Sequence, residues 1–146
     1  MNMKTVFLFT LMMLFCLTAC VQKDSSYDDF EIALVGSTRS VHITGYTGSK
    51  NVVRIPSHIH GVTVTTIEGM AIAGCSIRSV NLPHTITLIG SSAFTGCRNL
   101  TKVTFARSDT TIDSIDAFPG DLHEKYASGG AGTYTRSRRQ EVWKKR

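Results

Sequence analysis

The sequence predicts a repeat solenoid, and three observations carry that reading. The stretch Thr65-Thr-Ile-Glu-Gly-Met-Ala-Ile-Ala-Gly-Cys75 returns 22 residues later as Thr87-Leu-Ile-Gly-Ser-Ser-Ala-Phe-Thr-Gly-Cys97. Part of it, Ala93-Phe94-Thr-Gly96, recurs after a further 24 as Ala117-Phe118-Pro-Gly120. Interleaved with these copies, one before each, are Val53-x-Ile55-Pro56, Val80-x-Leu82-Pro83 and Val103-x-Phe105-Ala106, each an alternating apolar pair. Alternation points both apolar side chains to one face of a short strand. A proline directly after the strand ends it without removing a ladder donor.

The chain opens on Met1-Asn2-Met3-Lys4, one lysine ahead of an apolar run from Val6 to Leu17 broken only by Thr10. That run is shorter than the ~20 residues a spanning helix needs and suits the core of an export signal. It ends in Leu17-Thr18-Ala19-Cys20, which resembles the cleavage and acylation site of bacterial lipoproteins. The resemblance implies removal of residues 1–19 and lipid attachment at Cys20, with a thioether-linked diacylglyceryl group and an amide-linked acyl chain such as palmitate. Each buried methylene contributes about 0.8 kcal/mol, so two or more chains anchor stably. Polar residues 20–29 read as a flexible tether.

Residues 30–55 read as an N-terminal β cap. Phe30-Glu-Ile-Ala-Leu-Val35 and Ser40-Val-His-Ile-Thr44 alternate as strands around the Gly36-Ser37-Thr38 turn, and Gly45-Tyr-Thr-Gly-Ser49 reads as another turn. Residues 56–126 are assigned to the repeats. Their first connection, His58-Ile-His-Gly61-Val-Thr-Val64, predicts a tight hairpin at His60-Gly61.

Ile77 and Leu100 precede Val80 and Val103 by three, giving Ile77-x-x-Val80-x-Leu82 and Leu100-x-x-Val103-x-Phe105. This is the L-x-x-L-x-L signature of a leucine-rich repeat, at a period within the usual range of roughly 20–29 residues. The predicted architecture is a short array with one parallel β-strand per coil and short helical or 3-10 turns on the return path. Its predicted core is Val53, Ile55, Ile67, Ile72, Cys75, Ile77, Val80, Leu82, Ile89, Phe94, Cys97, Leu100, Val103, Phe105 and Phe118. One coil cannot enclose its own apolar side, so about three or more must stack. Gly74 and Gly96 are expected to end the return turn in the left-handed region.

The third coil looks worn. Ile112 and Ile115 straddle the expected apolar position, and a last strand is placed over Leu122 to Tyr126. Residues 127–146 form a closing segment, glycine-rich at first and then basic. Arg136, Arg138, Arg139, Lys144, Lys145 and Arg146 make it a charged tail on a nearly neutral body, read chiefly as solvated and frayed.

These residues resemble the BspA-like (Treponema-type) leucine-rich repeat family. The resemblance rests on the Val-x-Ile/Leu-Pro strands, on Ile89-Gly-x-x-Ala-Phe-x-Gly-Cys97, and on Gly45-Tyr-Thr-Gly48. The ending through Ala117-Phe118-Pro-Gly, Leu122 and Tyr126 to Gly132-Thr-Tyr-Thr-Arg136 is also similar. It implies surface lipoproteins or secreted proteins, some of which bind host matrix proteins or other bacterial cells, and it brings no catalytic residues. The short array and Ala106 in place of proline depart from the pattern.

Candidate partner-binding residues are the strand side chains read as facing away from the core, lining the outer, concave face of the solenoid: Arg78, Ser79 and Asn81, then Thr101, Lys102 and Thr104. They are polar, mildly basic and free of aromatic rings, and interface anchors favour Trp, Tyr and Arg. Cys75 and Cys97 occupy equivalent places in neighbouring coils, either as a ladder of small buried side chains or as a disulfide. His58 and His60 read as an exposed loop pair. No Gly-x-Ser-x-Gly elbow or His-Glu-x-x-His helix is present, so a non-enzymatic chain without cofactor or metal is expected.

The functional expectation is a protein exported and lipid-anchored to a bacterial membrane, at the outer membrane or cell surface. It recognises a host or bacterial surface protein or glycan in adhesion-type binding, without specific nucleic acid. The alternative is a structural spacer whose basic tail, with Trp143, contacts anionic lipid or polyanions.

Overall fold

The computed structural model describes residues 27–146. The export signal, the acylation site at Cys20 and tether residues 20–26 lie outside the described residues. From Tyr27 onward the chain is ordered into sheets. Tyr27–Asp29 forms a 3-10 turn, and Asp29 reaches Lys50 at 3.0 Å. The hairpin β1 (Phe30–Val35) and β2 (Ser40–Tyr46) follows.

Two sheets then grow side by side as the chain winds. One runs β3 (Val52–Arg54), β6 (Ser79–Leu82) and β8 (Lys102–Phe105), all parallel. The register sets Val53 beside Val80 and Val80 beside Val103. The other continues from β2 through β5 (Val62–Ile67), β7 (Leu88–Ile89) and β9 (Thr111–Ile112), also parallel. Each coil thus carries one main strand on the first sheet and makes a short second pairing on its way back. The pair β4 (His58–Ile59) and β5 is the expected hairpin. Its corner residues His60 and Gly61 have φ of 50° and 78°, as a two-residue turn of this hand requires.

The repeat spacing appears directly as rungs. The Thr87 N–H donates to the Thr65 carbonyl and the Thr111 N–H to the Thr87 carbonyl, both at 2.8 Å. The return turns bond in the same way, from Gly74 N–H to Thr95 O at 2.7 Å and from Phe94 N–H to Ala117 O at 2.8 Å. Gly74 and Gly96 adopt φ of 70° and 72°. Met70 and Ser92, also 22 apart, share φ near +60° (61° and 57°) without being glycine. The backbone path repeats even where the side chain does not favour it.

The core lies between the sheets and is continuous from Phe30 to Trp143. Of the residues assigned to it, all are buried except Cys75, which is half-buried against its rim. Stacked rings fill the last coil. Phe94 lies parallel to Phe118 at 4.6 Å, and Phe105 meets Phe118 edge-on at 5.8 Å.

The C-terminal end corrects two expectations. Residues 122–129 form a helix, α1 (Leu122–Gly129), and not a strand. Leu122 and Tyr126 are four apart, so a helix turns both onto the same buried face, and the first part of the predicted glycine loop belongs to it. The tail is not frayed. It returns as β10 (Gly132–Thr135), antiparallel to β8, and then β11 (Lys144–Lys145), antiparallel to β10. Trp143 is 1% exposed. Its indole N–H donates to the Pro119 carbonyl and its backbone N–H to the Asp121 carboxylate, each at 2.7 Å.

Candidate functional site

The sheet that carries the main strands of the coils runs β3-β6-β8-β10-β11 and turns one face to solvent. Alternation sends Val80, Leu82, Val103, Phe105 and Tyr134 inward and leaves their neighbours outward. Register aligns these neighbours in two rows. One runs Val52, Ser79, Lys102, Thr135 and Lys144. The other runs Arg54, Asn81, Thr104 and Thr133, and it ends at Arg146, whose N–H donates to the Thr133 carbonyl at 2.9 Å.

Of the predicted residues, Ser79, Asn81, Lys102 and Thr104 fall within these rows. Arg78 and Thr101 do not. They occupy the approach to β6 and β8, where the Arg78 carbonyl accepts the N–H groups of Thr101 and Lys102 at 2.9 and 3.1 Å. Sequence reasoning missed the two antiparallel strands that widen the face. It therefore missed Thr133, Thr135, Lys144 and Arg146. Hydroxyl pairing ties the new strands in: Thr104 Oγ1 and Thr133 Oγ1 are 3.1 Å apart, and Arg146 Nε donates to Thr135 Oγ1 at 3.2 Å.

The outward positions carry Arg54, Lys102, Lys144 and Arg146 and no carboxylate, so the face presents a single sign of charge. Where β3 and β6 end, Pro56 and Pro83 open a cleft of 360 Å³ that also takes in Arg54, Ser57 and Tyr27. Tyr27 is 53% exposed, and its ring lies 6.3 Å from that of His60. The expected ring-free surface thus gains an aromatic edge from a residue read as tether. Tyr and Arg are the side chains that most often anchor interfaces.

The remaining chemistry is structural. Cys75 and Cys97 are both free thiols. Cys97 donates to the Ile72 carbonyl at 3.0 Å, and burial pushes its thiol up to about 11. Cys75, less deeply placed, is raised by the same cause. His58 bonds Ser57 at 3.1 Å, while His60 holds the hairpin corner beside Tyr27. No group of His, Cys, Asp or Glu among the described residues is arranged to hold a metal ion. Trp143, expected to serve a membrane interface, is spent inside the fold.

The repeat geometry has known counterparts. A leucine-rich repeat protein of Treponema pallidum is 28% identical over 67% of this chain, with a TM-score of 0.53. A leucine-rich repeat protein of Bacteroides capillosus shares the fold at 21% identity over 63% of this chain and 71% of its own, with a TM-score of 0.56. The chain spans 42% of the length of the Treponema protein. No curated protein matches it. Residues 39–119, more than half of the sequence, match the family described as BspA type leucine rich repeat region (6 copies). The rungs at Val53, Val80 and Val103, the glycine-ended return turns and this match together make the chain a member of the BspA-type leucine-rich repeat family.

Proposed function

We propose that this domain is a non-catalytic recognition module, carried to a bacterial cell surface by lipid on Cys20, that binds a protein or glycan through the outer face of the five-stranded sheet. The family match supports a role in protein interaction. The observation that carries the choice of face is its charge: two aligned rows of small polar and cationic side chains, uninterrupted by a carboxylate. The hydroxyls and amides of Ser79, Asn81, Thr104, Thr133 and Thr135 offer both donors and acceptors. Tyr27 and Arg54 at the adjoining cleft supply anchors.

Two measurements test the reading. Intact mass of the membrane-extracted protein, with protease accessibility on whole cells, reports lipid on Cys20 and outward exposure. A chain that keeps residues 1–19, or resists protease on intact cells, contradicts the surface assignment. Attachment of cells bearing the Asn81→Ala/Lys102→Ala variant to immobilised host matrix proteins is expected to fall about tenfold, as loss of about 1.4 kcal/mol would give. Unchanged attachment moves the site off this face.

A further inference from the structure

We propose that Arg98, Arg136, Arg138 and Arg139 form a second binding site, bordering the sheet face at Lys144 and Arg146, for the sulfate groups of a polysulfated polysaccharide. Charge distribution is the first argument. Residues 136–146 hold six basic side chains and one acidic, Glu141, and so account for the whole formal charge of +5. The rest of the chain sums to zero. Such a charge on a free tail would have no fixed geometry. Here the segment is folded back by β10, Trp143 and β11, so its cations are held in place.

Geometry is the second argument. The tail brings Arg136, Arg138 and Arg139 to Arg98, on the turn that precedes Leu100, and the four line one cleft of 340 Å³ with Glu141. Arg136 is fixed from two sides. Its Nε donates to the Leu100 carbonyl at 2.8 Å, and its guanidinium lies 5.3 Å from the centre of the Trp143 ring. Arg136 also lines a neighbouring cleft of 340 Å³ with Gln140, Lys144 and Arg146. Two cationic clefts sharing one arginine suit a ligand that repeats its anionic groups along a chain. Glu141 offsets one of the four cations, and the remaining like charges repel unless a further anion lies among them. Guanidinium forks match tetrahedral oxyanions in paired bonds that a lysine cannot reproduce.

The surroundings argue for a polysaccharide over a membrane or a nucleic acid. Beside these clefts the exposed large apolar side chains are Val142 and Ile115, which share a cleft with Glu141, while Trp143 is buried. Interfacial binding needs a broader apolar face inserted as well as charge. Single-stranded nucleic acid is held by aromatic stacking. Among the described residues the exposed aromatic is Tyr27, which lines a different cleft.

The full-length chain in detergent is titrated calorimetrically with a heparin octasaccharide at about 0.15 M ionic strength. Arg138→Gln/Arg139→Gln is expected to weaken binding at least tenfold. Arg39→Gln/Lys50→Gln, which removes the same charge elsewhere, is expected to weaken it less than twofold, and Arg138→Lys/Arg139→Lys to restore it only in part. Circular dichroism confirms folding of each variant. Equal losses in the two glutamine variants would reduce the site to net charge and overturn it. So would tighter binding, at the same salt, to phosphatidylglycerol vesicles or single-stranded DNA. The sheet-face variant Asn81→Ala/Lys102→Ala should bind the octasaccharide as the parent does, which keeps this outcome separate from that of the proposed function.

Discussion

Phe105 and Tyr126 lie nearly face to face, their ring centroids 4.1 Å apart and their planes 27° from parallel. One belongs to the last parallel strand of its sheet, the other to the helix that closes the array. Tyr134, from the strand that follows, meets Phe105 edge-on at 5.8 Å and 89°. The Tyr126 hydroxyl donates to the Arg107 carbonyl at 2.9 Å and accepts the Thr110 N–H at 3.0 Å. Phe105 is therefore the residue on which repeat and cap converge. Phe105→Ala is expected to cost about 3–5 kcal/mol in denaturant unfolding, and Phe105→Leu clearly less. A loss below ~1 kcal/mol would show that the cap does not depend on this contact.

Gly90 marks the closest approach of two coils. A Cβ there would stand 2.5 Å from the Gly69 nitrogen and 2.9 Å from the Glu68 carbonyl carbon, both backbone atoms that cannot rotate away. Gly90→Ala is expected to lose roughly 1–3 kcal/mol, as overpacked sites do. Gly36, with nothing within 4 Å, should accept alanine with little change. Paired thermal melts compare the two. Equal effects would mean that the rung spacing at Gly90 is soft.

Cys97 should be the slow thiol. With its pKa raised to about 11 by burial, it is almost wholly protonated at pH 8, and the thiolate is the reactive form. Half-exposed Cys75 should label first with iodoacetamide, and Cys97 only on unfolding. The sign for stability follows from the same shift. Below about pH 7.5 the thiol is neutral in both states and contributes no pH dependence. As pH rises from about 8 to 11 the unfolded chain ionises first, so stability falls, by something on the order of 2 kcal/mol. Cys97→Ser should flatten that limb of the pH profile, and an unaltered limb would assign it elsewhere.

Removal of the chain beyond Thr135 is expected to lower the melting temperature sharply. It deletes β11 and strips Trp143 from its place against Pro119 and Asp121. Burying an aromatic ring of this kind is worth about 3–5 kcal/mol by the usual truncation measure. Trp143→Ala alone should reproduce most of the loss. A truncated chain as stable as the parent would restore the view of this segment as a solvated tail.

The repeat was legible because its signals are local. Val80, Leu82 and Pro83, or Gly96 and Cys97, specify their own strand or turn within a few residues, and self-comparison at 22 finds them. The cap was not, because its meaning is non-local. β10 pairs antiparallel to β8, a relation no short window contains. Leu122 and Tyr126 carried a helical spacing that the expectation of another strand overrode. Trp143 was hidden by the charges around it. Four of the ten residues of the candidate face, Ser79, Asn81, Lys102 and Thr104, could be read from alternation. Four more, from Thr133 to Arg146, required knowing where the chain turns back, and Val52 and Arg54 flank Val53 on a strand that was read only for its core side. Tyr27 looked like linker because nothing near it in sequence signals His60.

The antiparallel strand laid against β8 occupies the place where another parallel rung would have begun. A chain that simply stopped after its last coil would present an open ledge, inviting a neighbouring molecule to continue the stack. Reversal of direction, with the helix packed behind it, covers the end of the parallel ladder at β8. A duplicated coil inserted between Arg78 and Thr101 would meet familiar neighbours above and below, so widening of the sheet face is decoupled from the parts that close it.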